Sequence, residues 1–201
     1  MRKALTIGEL LVTMTIIGVI AALVLPGFLK DYHKRIYTTK LKKTYEILEN
    51  AINQACNDNN VSYIGQTKYG ISSKANQQEF LDKYFKITAT KTQPFAKQYK
   101  ILNTGVLSNY GLASSHGWAK LVSGEAVSYY CAGGTTTFCV FRVDVNSTDG
   151  PNIGGRDFFI LYIDLKTNKI YDGKAPEDCG TEYSGGGCFG RILKNNWEMD
   201  Y

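Results

Sequence analysis

The run from Leu10 to Leu29 holds twenty residues and no charge. At 1.5 Å of rise per helical residue it is about 30 Å long, the thickness of the hydrocarbon core of a bilayer. A segment of this kind must lie in lipid or be enclosed by other protein. Arg2 and Lys3 precede it, and a single carboxylate, Glu9, sits at its leading edge. A secretory signal peptide also starts basic, but its apolar region spans about 7–15 residues and ends in a small-x-small cleavage site. Here Leu25-Pro26-Gly27-Phe28 follows instead. Residues 5–29 are therefore predicted to form a transmembrane helix. An ionised carboxylate inside a bilayer costs about 2.5 kcal/mol or more, so Glu9 is expected either to gain a partner or to stay hydrated at the cytoplasmic interface.

Behind its basic start, Ala4-Leu5-Thr6-Ile7-Gly8-Glu9-Leu10-Leu11-Val12 resembles the processing motif of type IV prepilins and type II secretion pseudopilins. The resemblance covers about thirty residues, with basic leader, carboxylate and apolar run in one register. It implies that prepilin peptidase removes residues 1–4 by cutting between Ala4 and Leu5, that Leu5 is then N-methylated, and that Glu9 becomes the fifth residue of the mature chain. Glu9 would then pair with the free N-terminal amine of a neighbouring subunit during filament assembly. Ala4 stands where the family usually has Gly, and Leu5 where it usually has Phe; both are small chemical changes. Gly18 and Pro26 also fall where the family carries a glycine and a proline. Both residue types are common in transmembrane helices generally. The resemblance adds a sharper reading, a segment that unwinds on entering the fibre, because Pro26 deletes the hydrogen bond to the Ala22 carbonyl and Gly18 lowers helix propensity.

Beyond the anchor about 170 residues remain, enough for one domain with its own core. The net charge of +5 is modest and spread along the chain, which by itself does not argue for nucleic acid. Residues 30–58 continue the helix as an amphipathic half. Ile36, Leu41, Tyr45, Leu48, Ile52 and Ala55 share a stripe, with Lys34, Lys42, Lys43, Glu46, Glu49 and Asn53 on other faces. Asn57-Asp58-Asn59-Asn60 is expected to end it.

Residues 59–116 read as a long connection containing a short helix from Asn76 to Ile87, with little strand pattern except short pieces near Tyr99 to Leu102. Residues 117–201 read as sheet and C-terminal loop. Trp118–Val122, Ala126–Cys131, Phe138–Val145, Asp157–Leu165 and Lys169–Tyr171 are rich in aromatic and β-branched residues and separated by Gly, Asn or Asp turns. The predicted class is α+β, a long N-terminal helix packed on an antiparallel sheet of about four strands, the arrangement that the resemblance to pilins also implies.

Of the five cysteines, Cys131 and Cys139 flank one short segment and Cys179 and Cys188 another. Two bridges among five cysteines can be drawn in fifteen ways, and proximity in sequence favours these two pairs, with Cys56 left free. The chain has no Cys-x-x-Cys and only two histidines, a poor basis for zinc. The pair Cys179–Cys188 also resembles the disulfide-bounded loop with which many pilins fasten their last segment. Between two strands lies an oxygen-rich loop carrying Asp144, Asn146, Asp149, Asn152 and Asp157. Some major pseudopilins hold Ca²⁺ in a C-terminal loop, and Ca²⁺ takes six to eight oxygens. The EF-hand order fails, because Thr148 sits where an oxygen-rich side chain is required and Gly150 comes one place late. A hairpin turn capped by Asp and Asn side chains is the alternative. No nucleophile motif or phosphate loop is present, so the chain is not expected to be an enzyme.

The resemblance thus implies a structural subunit, pilin or pseudopilin, of a type IV pilus or type II secretion filament. Its partners would be further copies and other pilins or pseudopilins, prepilin peptidase, the inner-membrane assembly platform and, before assembly, membrane lipid. It would begin as a single-pass protein of the bacterial inner membrane with its C-terminal domain extracytoplasmic. The excess of Lys and Arg after the helix argues for the opposite orientation, but long domains translocate despite charge and paired cysteines belong in an oxidising compartment. The alternative is a minor tip pilin that binds DNA or a surface ligand through Lys86, Lys91, Lys97 and Lys100 with Tyr84 and Tyr99.

Overall fold

The computed structural model describes residues 6–89, 91–109, 116–132, 137–182 and 184–201. The expected cleavage junction, Ala4 and Leu5, lies outside the described residues. The chain divides into two units, Met1–Ile36 and Tyr37–Tyr201, and helix α1, Ile7–Asp58, contributes to both.

In the first unit α1 is an unbroken helix through Gly18 and Pro26. Its most apolar stretch has a mean hydropathy of 2.4 with none of it buried, which makes the helix long and apolar enough to cross a membrane. The hydroxyls of Thr13 and Thr15 are compatible with lipid because each donates to its own helix, Thr13 Oγ1 to the Leu10 carbonyl at 2.9 Å and Thr15 Oγ1 to the Leu11 carbonyl at 2.7 Å.

The second unit starts where the stripe of α1 becomes buried, at Tyr37, Leu41, Leu48, Ala51, Ile52, Ala55 and Cys56. These residues recur at steps of three, four and seven, with Ile52 and Cys56 each widening the stripe by one position, and form the core-facing side of an amphipathic helix. The helix packs on a mixed sheet. The strands are β1 Gln98–Ile101, β2 Leu107–Asn109, β3 Gly117–Lys120, β4 Ala126–Cys131, β5 Phe138–Asp144, β6 Ile153–Gly154, β7 Phe158–Asp164 and β8 Ile170–Tyr171. Their order is β2-β1-β6-β7-β5-β4-β3, with β8 also on β7; β6 runs parallel to both β1 and β7, and the other pairs are antiparallel.

This corrects the expected antiparallel sheet of about four strands. The five segments predicted as strands do form β3, β4, β5, β7 and β8 within a few residues. β1 falls at the short strand pieces expected near Tyr99 to Leu102, whereas β2 and β6 fall on segments with little strand pattern. β6 is two residues long, inside the oxygen-rich loop, and in β1 only Tyr99 is buried. Neither is long enough for a period of two to specify its partner, and the parallel pairing arises because the long connection returns along that loop.

Alternation along the strands separates two faces. Val127, Val143 and Phe159 form one buried row and Tyr129, Phe141 and Leu161 the next. Helix α2, Lys74–Tyr84, covers this face: Phe80 lies 4.5 Å from Tyr129 between ring centroids, and Phe85, just after the helix, stacks on Phe141 at 5.7 Å. On the opposite face Ala126 and Phe158 cluster with Phe95 and Tyr99. Both faces are thus covered, so the strands read as nearly continuous apolar runs.

Both expected disulfides are present. Cys131 and Cys139 are register partners on β4 and β5 with Cα atoms 4.2 Å apart, and Cys179–Cys188 spans 4.4 Å. The second closes a tight C-terminal loop onto α3, Cys188–Lys194, whose first turn is capped by the Asp172 carboxylate accepting from the Gly187 and Gly190 N–H groups at 2.9 Å each. Gly187 has φ of 84°, and a Cβ there would lie 2.2 Å from the Ala175 carbonyl oxygen, so only glycine fits. The tail then docks on α1 through Trp197, whose ring centroid is 5.3 Å from that of Tyr45.

Asn168 ties the connection to the sheet. Held at φ of 61°, it accepts from the Ile64 N–H at 2.8 Å and donates to the Ser62 carbonyl at 3.0 Å. Asn168→Ala is expected to cost about 1–3 kcal/mol, from a buried N–H left unpaired and a left-handed conformation forced on alanine. Asn168→Gly relieves only the second effect and should lose less. Denaturant midpoints of the two variants provide the comparison.

Candidate functional site

Glu9 is placed by Thr6. Its Oε2 accepts from both the Thr6 N–H and the Thr6 hydroxyl at 2.9 Å, while the Glu9 N–H donates to Thr6 Oγ1 at 3.2 Å. This is a reciprocal capping box at the start of α1, and its signature, Thr6-Ile7-Gly8-Glu9, is legible in the sequence as Thr-x-x-Glu. The carboxylate that the resemblance would pair with a neighbouring chain thus has a local partner within its own chain. Gly18 and Pro26 lie further along the same exposed helix.

The oxygen-rich loop gathers four of its five candidate ligands. Asp144 and Asp157 are fully buried. Asp144 Oδ2 accepts from the Tyr99 hydroxyl at 2.5 Å and Oδ1 from the Asn146 N–H at 3.2 Å. Asp157 accepts from the Asn152 and Ile153 N–H groups at 2.7 and 2.6 Å. Asn146 Nδ2 donates to the Gly150 carbonyl at 2.8 Å, and Asn152 takes the left-handed conformation at φ of 55°. The Gly150–Pro151 peptide bond is cis. The side-chain oxygens of Asn146 and Asn152 are buried and have no hydrogen-bond partner among the described residues. Asp149, by contrast, is exposed.

Set against a calcium shell of six to eight oxygens, this loop offers two buried carboxylates and two unpartnered amide oxygens. That donor chemistry suits a hard cation, although among the described residues no group of three or more His, Cys, Asp or Glu is placed to hold a metal. The observed hydrogen bonds also carry out the turn-capping role that Asp and Asn perform in loops without metal.

Electrostatics in the loop run against the ionised state. Burial pushes the Asp144 carboxyl up to about 8, with the Tyr99 hydroxyl opposing the shift and the nearby Asp157 adding to it. Burial also raises Asp157, against the two backbone donors that stabilise its charge. A carboxyl whose folded pKa exceeds its unfolded value holds more protons when folded. Its contribution is therefore full below the unfolded value near 4 and is lost as pH rises towards 8. His116 acts in the opposite sense. Burial, and then Arg142, lower it to about 4, so its contribution is full above about 6.5 and is lost below that. Between pH 6.5 and 8 the buried carboxyls should dominate, and with a chelator present unfolding free energy should fall with a slope approaching about 1.4 kcal/mol per pH unit. Asp144→Asn, of equal size and uncharged, should flatten that slope and raise stability at pH 8. Chemical denaturation at several pH values measures both effects.

Among the lysines and tyrosines of the nucleic-acid alternative, Lys86, Lys91, Lys97 and Lys100 are exposed, but Tyr99 is buried in the sheet and Tyr84 is half-buried, its hydroxyl donating to Asp58 at 3.0 Å. Tyr99 therefore presents no face on which a base can stack. No family model, curated protein or solved structure matches the chain.

Proposed function

We propose that this chain is a structural subunit, a pilin or pseudopilin, of a type IV pilus or type II secretion filament. The observation that carries the reading is the leading part of α1, an apolar helix of membrane length with none of its most apolar stretch buried, directly behind a basic start and the Thr6–Glu9 box. A surface of that kind must be covered, by lipid in the precursor and by the helices of other subunits in the fibre. Glu9 would exchange its Thr6 bonds for the free amine of a neighbouring mature chain. Gly18 and Pro26 would weaken the helix where subunits crowd. The domain from Tyr37 onward would stand outside the fibre core, stiffened by its two disulfides in an oxidising compartment.

Shearing cells that carry a functional assembly machine and sedimenting the released material tests this. The chain should be found in the high-speed pellet, and it should stay in the membrane fraction when the assembly ATPase is inactive. Equal distribution in both strains counts against the reading.

Calcium in the loop is a second reading, favoured by the unpartnered oxygens of Asn146 and Asn152 beside Asp144 and Asp157. The four side chains would hold the ion, whose charge would favour the ionised carboxylates that burial opposes. Added Ca²⁺ should then raise the melting temperature of the full chain at pH 7.5, and Asp157→Asn should remove the response; no response to millimolar Ca²⁺ argues for the turn alone.

A further inference from the structure

Between α1, the residues that follow α2 and the β3–β4 turn runs a groove of about 600 Å³. The volume falls within the range of ligand sites, roughly 300–1,000 Å³. Its apolar part comes from Ile47 and Ala51 on α1 and from Leu121 and Val122 at the turn, and Val122 is 68% exposed. Val122 stands at the mouth of the groove, with the half-buried Ile47 as the other apolar side chain that a ligand can reach.

The polar part of the lining has a clear sign. Lys43 stands one helical turn before Ile47, and Lys86 is fixed beside Val122 by the Val122 N–H donating to its carbonyl at 3.0 Å. Among the described residues neither lysine is in a salt bridge, and no carboxylate lines the groove. The amides of Asn50 and Gln54, four residues apart on α1, line the wall together with Tyr84 and Ser123 and offer both donors and acceptors. An acyl chain would want continuous apolar walls, which these amides and ammonium groups interrupt. A peptide has what this lining can satisfy, main-chain N–H and C=O groups for the amides and carboxylates for the two lysines.

We propose that the groove docks a short acidic segment of a partner protein, with an apolar side chain against Val122 and Ile47 and flanking carboxylates on Lys43 and Lys86. The ammonium pair would orient the segment and speed its encounter more than it would hold it, so binding should weaken as salt rises. This proposal does not depend on the filament reading, since every residue it uses belongs to the unit Tyr37–Tyr201.

The test pans a random heptapeptide phage library against the full chain in detergent micelles, then measures binding of the enriched sequence, made as a fluorescein-labelled peptide, by anisotropy. Enriched peptides should carry Asp or Glu around an apolar residue. The labelled peptide should bind at least tenfold more weakly to Lys43→Glu/Lys86→Glu and to Val122→Asp, both exposed substitutions that leave the fold in place, and more weakly in 0.5 M than in 0.05 M NaCl. Three outcomes would overturn the proposal: no enrichment over empty micelles, a peptide that binds both variants as it binds the parent chain, or a groove occupied by another class of partner. The last would appear as concentration-dependent self-association, or as binding to phosphatidylglycerol vesicles, that Lys43→Glu/Lys86→Glu abolishes while peptide binding is absent.

Discussion

Replacing Glu9 by Ala is expected to abolish filaments, and replacing it by Gln is expected to do the same. The two substitutions separate the roles that the structure and the motif give to this residue. Glu9 closes a capping box with Thr6, a local stabilisation of the helix start that Gln at the same position largely preserves. Alanine removes that box and frays the start of α1. If Glu9 served the helix end alone, Glu9→Gln would assemble normally and Glu9→Ala would be only weakened. If its charge meets the amine of a neighbouring subunit in a low-dielectric fibre core, both variants fail, because neither offers an ionised partner there. The amount of subunit in sheared filaments, compared at equal levels in the membrane, gives the answer. Normal filaments from Glu9→Gln would remove the proposed role.

Replacing Phe141 by Ala is expected to be the most destabilising single truncation in the sheet. The residue is fully buried on β5 between Tyr129 and Leu161 in the same cross-strand row, and it stacks on Phe85 with ring planes 18° apart. Truncation removes both apolar transfer energy and the contacts of its neighbours, and the rigid surroundings can close only part of the cavity. A loss of about 3–5 kcal/mol follows, or roughly 6–20 °C in melting temperature for a chain of this size. A Phe141→Leu variant keeps much of the volume and should lose clearly less. Thermal unfolding of the full chain in micelles measures both; a change below about 1 kcal/mol for Phe141→Ala would mean that the α2 layer does not hold this face.

The parts of the structure legible in the sequence are those with a long period or a fixed spacing. The extent of α1 follows from an uncharged run joined to an amphipathic stripe that stops at Asn57-Asp58-Asn59-Asn60, and the helix ends at Asp58. The pairing of Cys131 with Cys139 and of Cys179 with Cys188 follows from short loops. The mixed sheet was not legible, because β1 and β6 are joined by a non-local parallel pairing, Lys100 with Ile153 and Ile101 with Gly154, which the short alternation from Gln98 to Ile101 does not specify. Tyr99 shows the same limit. Read among lysines, it looks like an exposed aromatic, whereas the fold turns it inward to donate to Asp144. The oxygen-rich loop was legible as a cluster but not in its division of labour, since which oxygens the backbone N–H groups take up depends on the path of the turn. For Glu9 the Thr-x-x-Glu spacing of a helix start coincides with the leading edge of the apolar run, so the sequence alone does not separate a capping role from a membrane role.

Processing of this chain as a filament subunit is read from the intact mass of the protein recovered from membranes of cells with and without prepilin peptidase. With the peptidase, the mass should correspond to a chain that begins at Leu5 and carries one added methyl group, and without it to the full sequence with Met1 to Ala4 retained. An unprocessed mass from both strains would exclude processing between Ala4 and Leu5 and with it the proposed filament role.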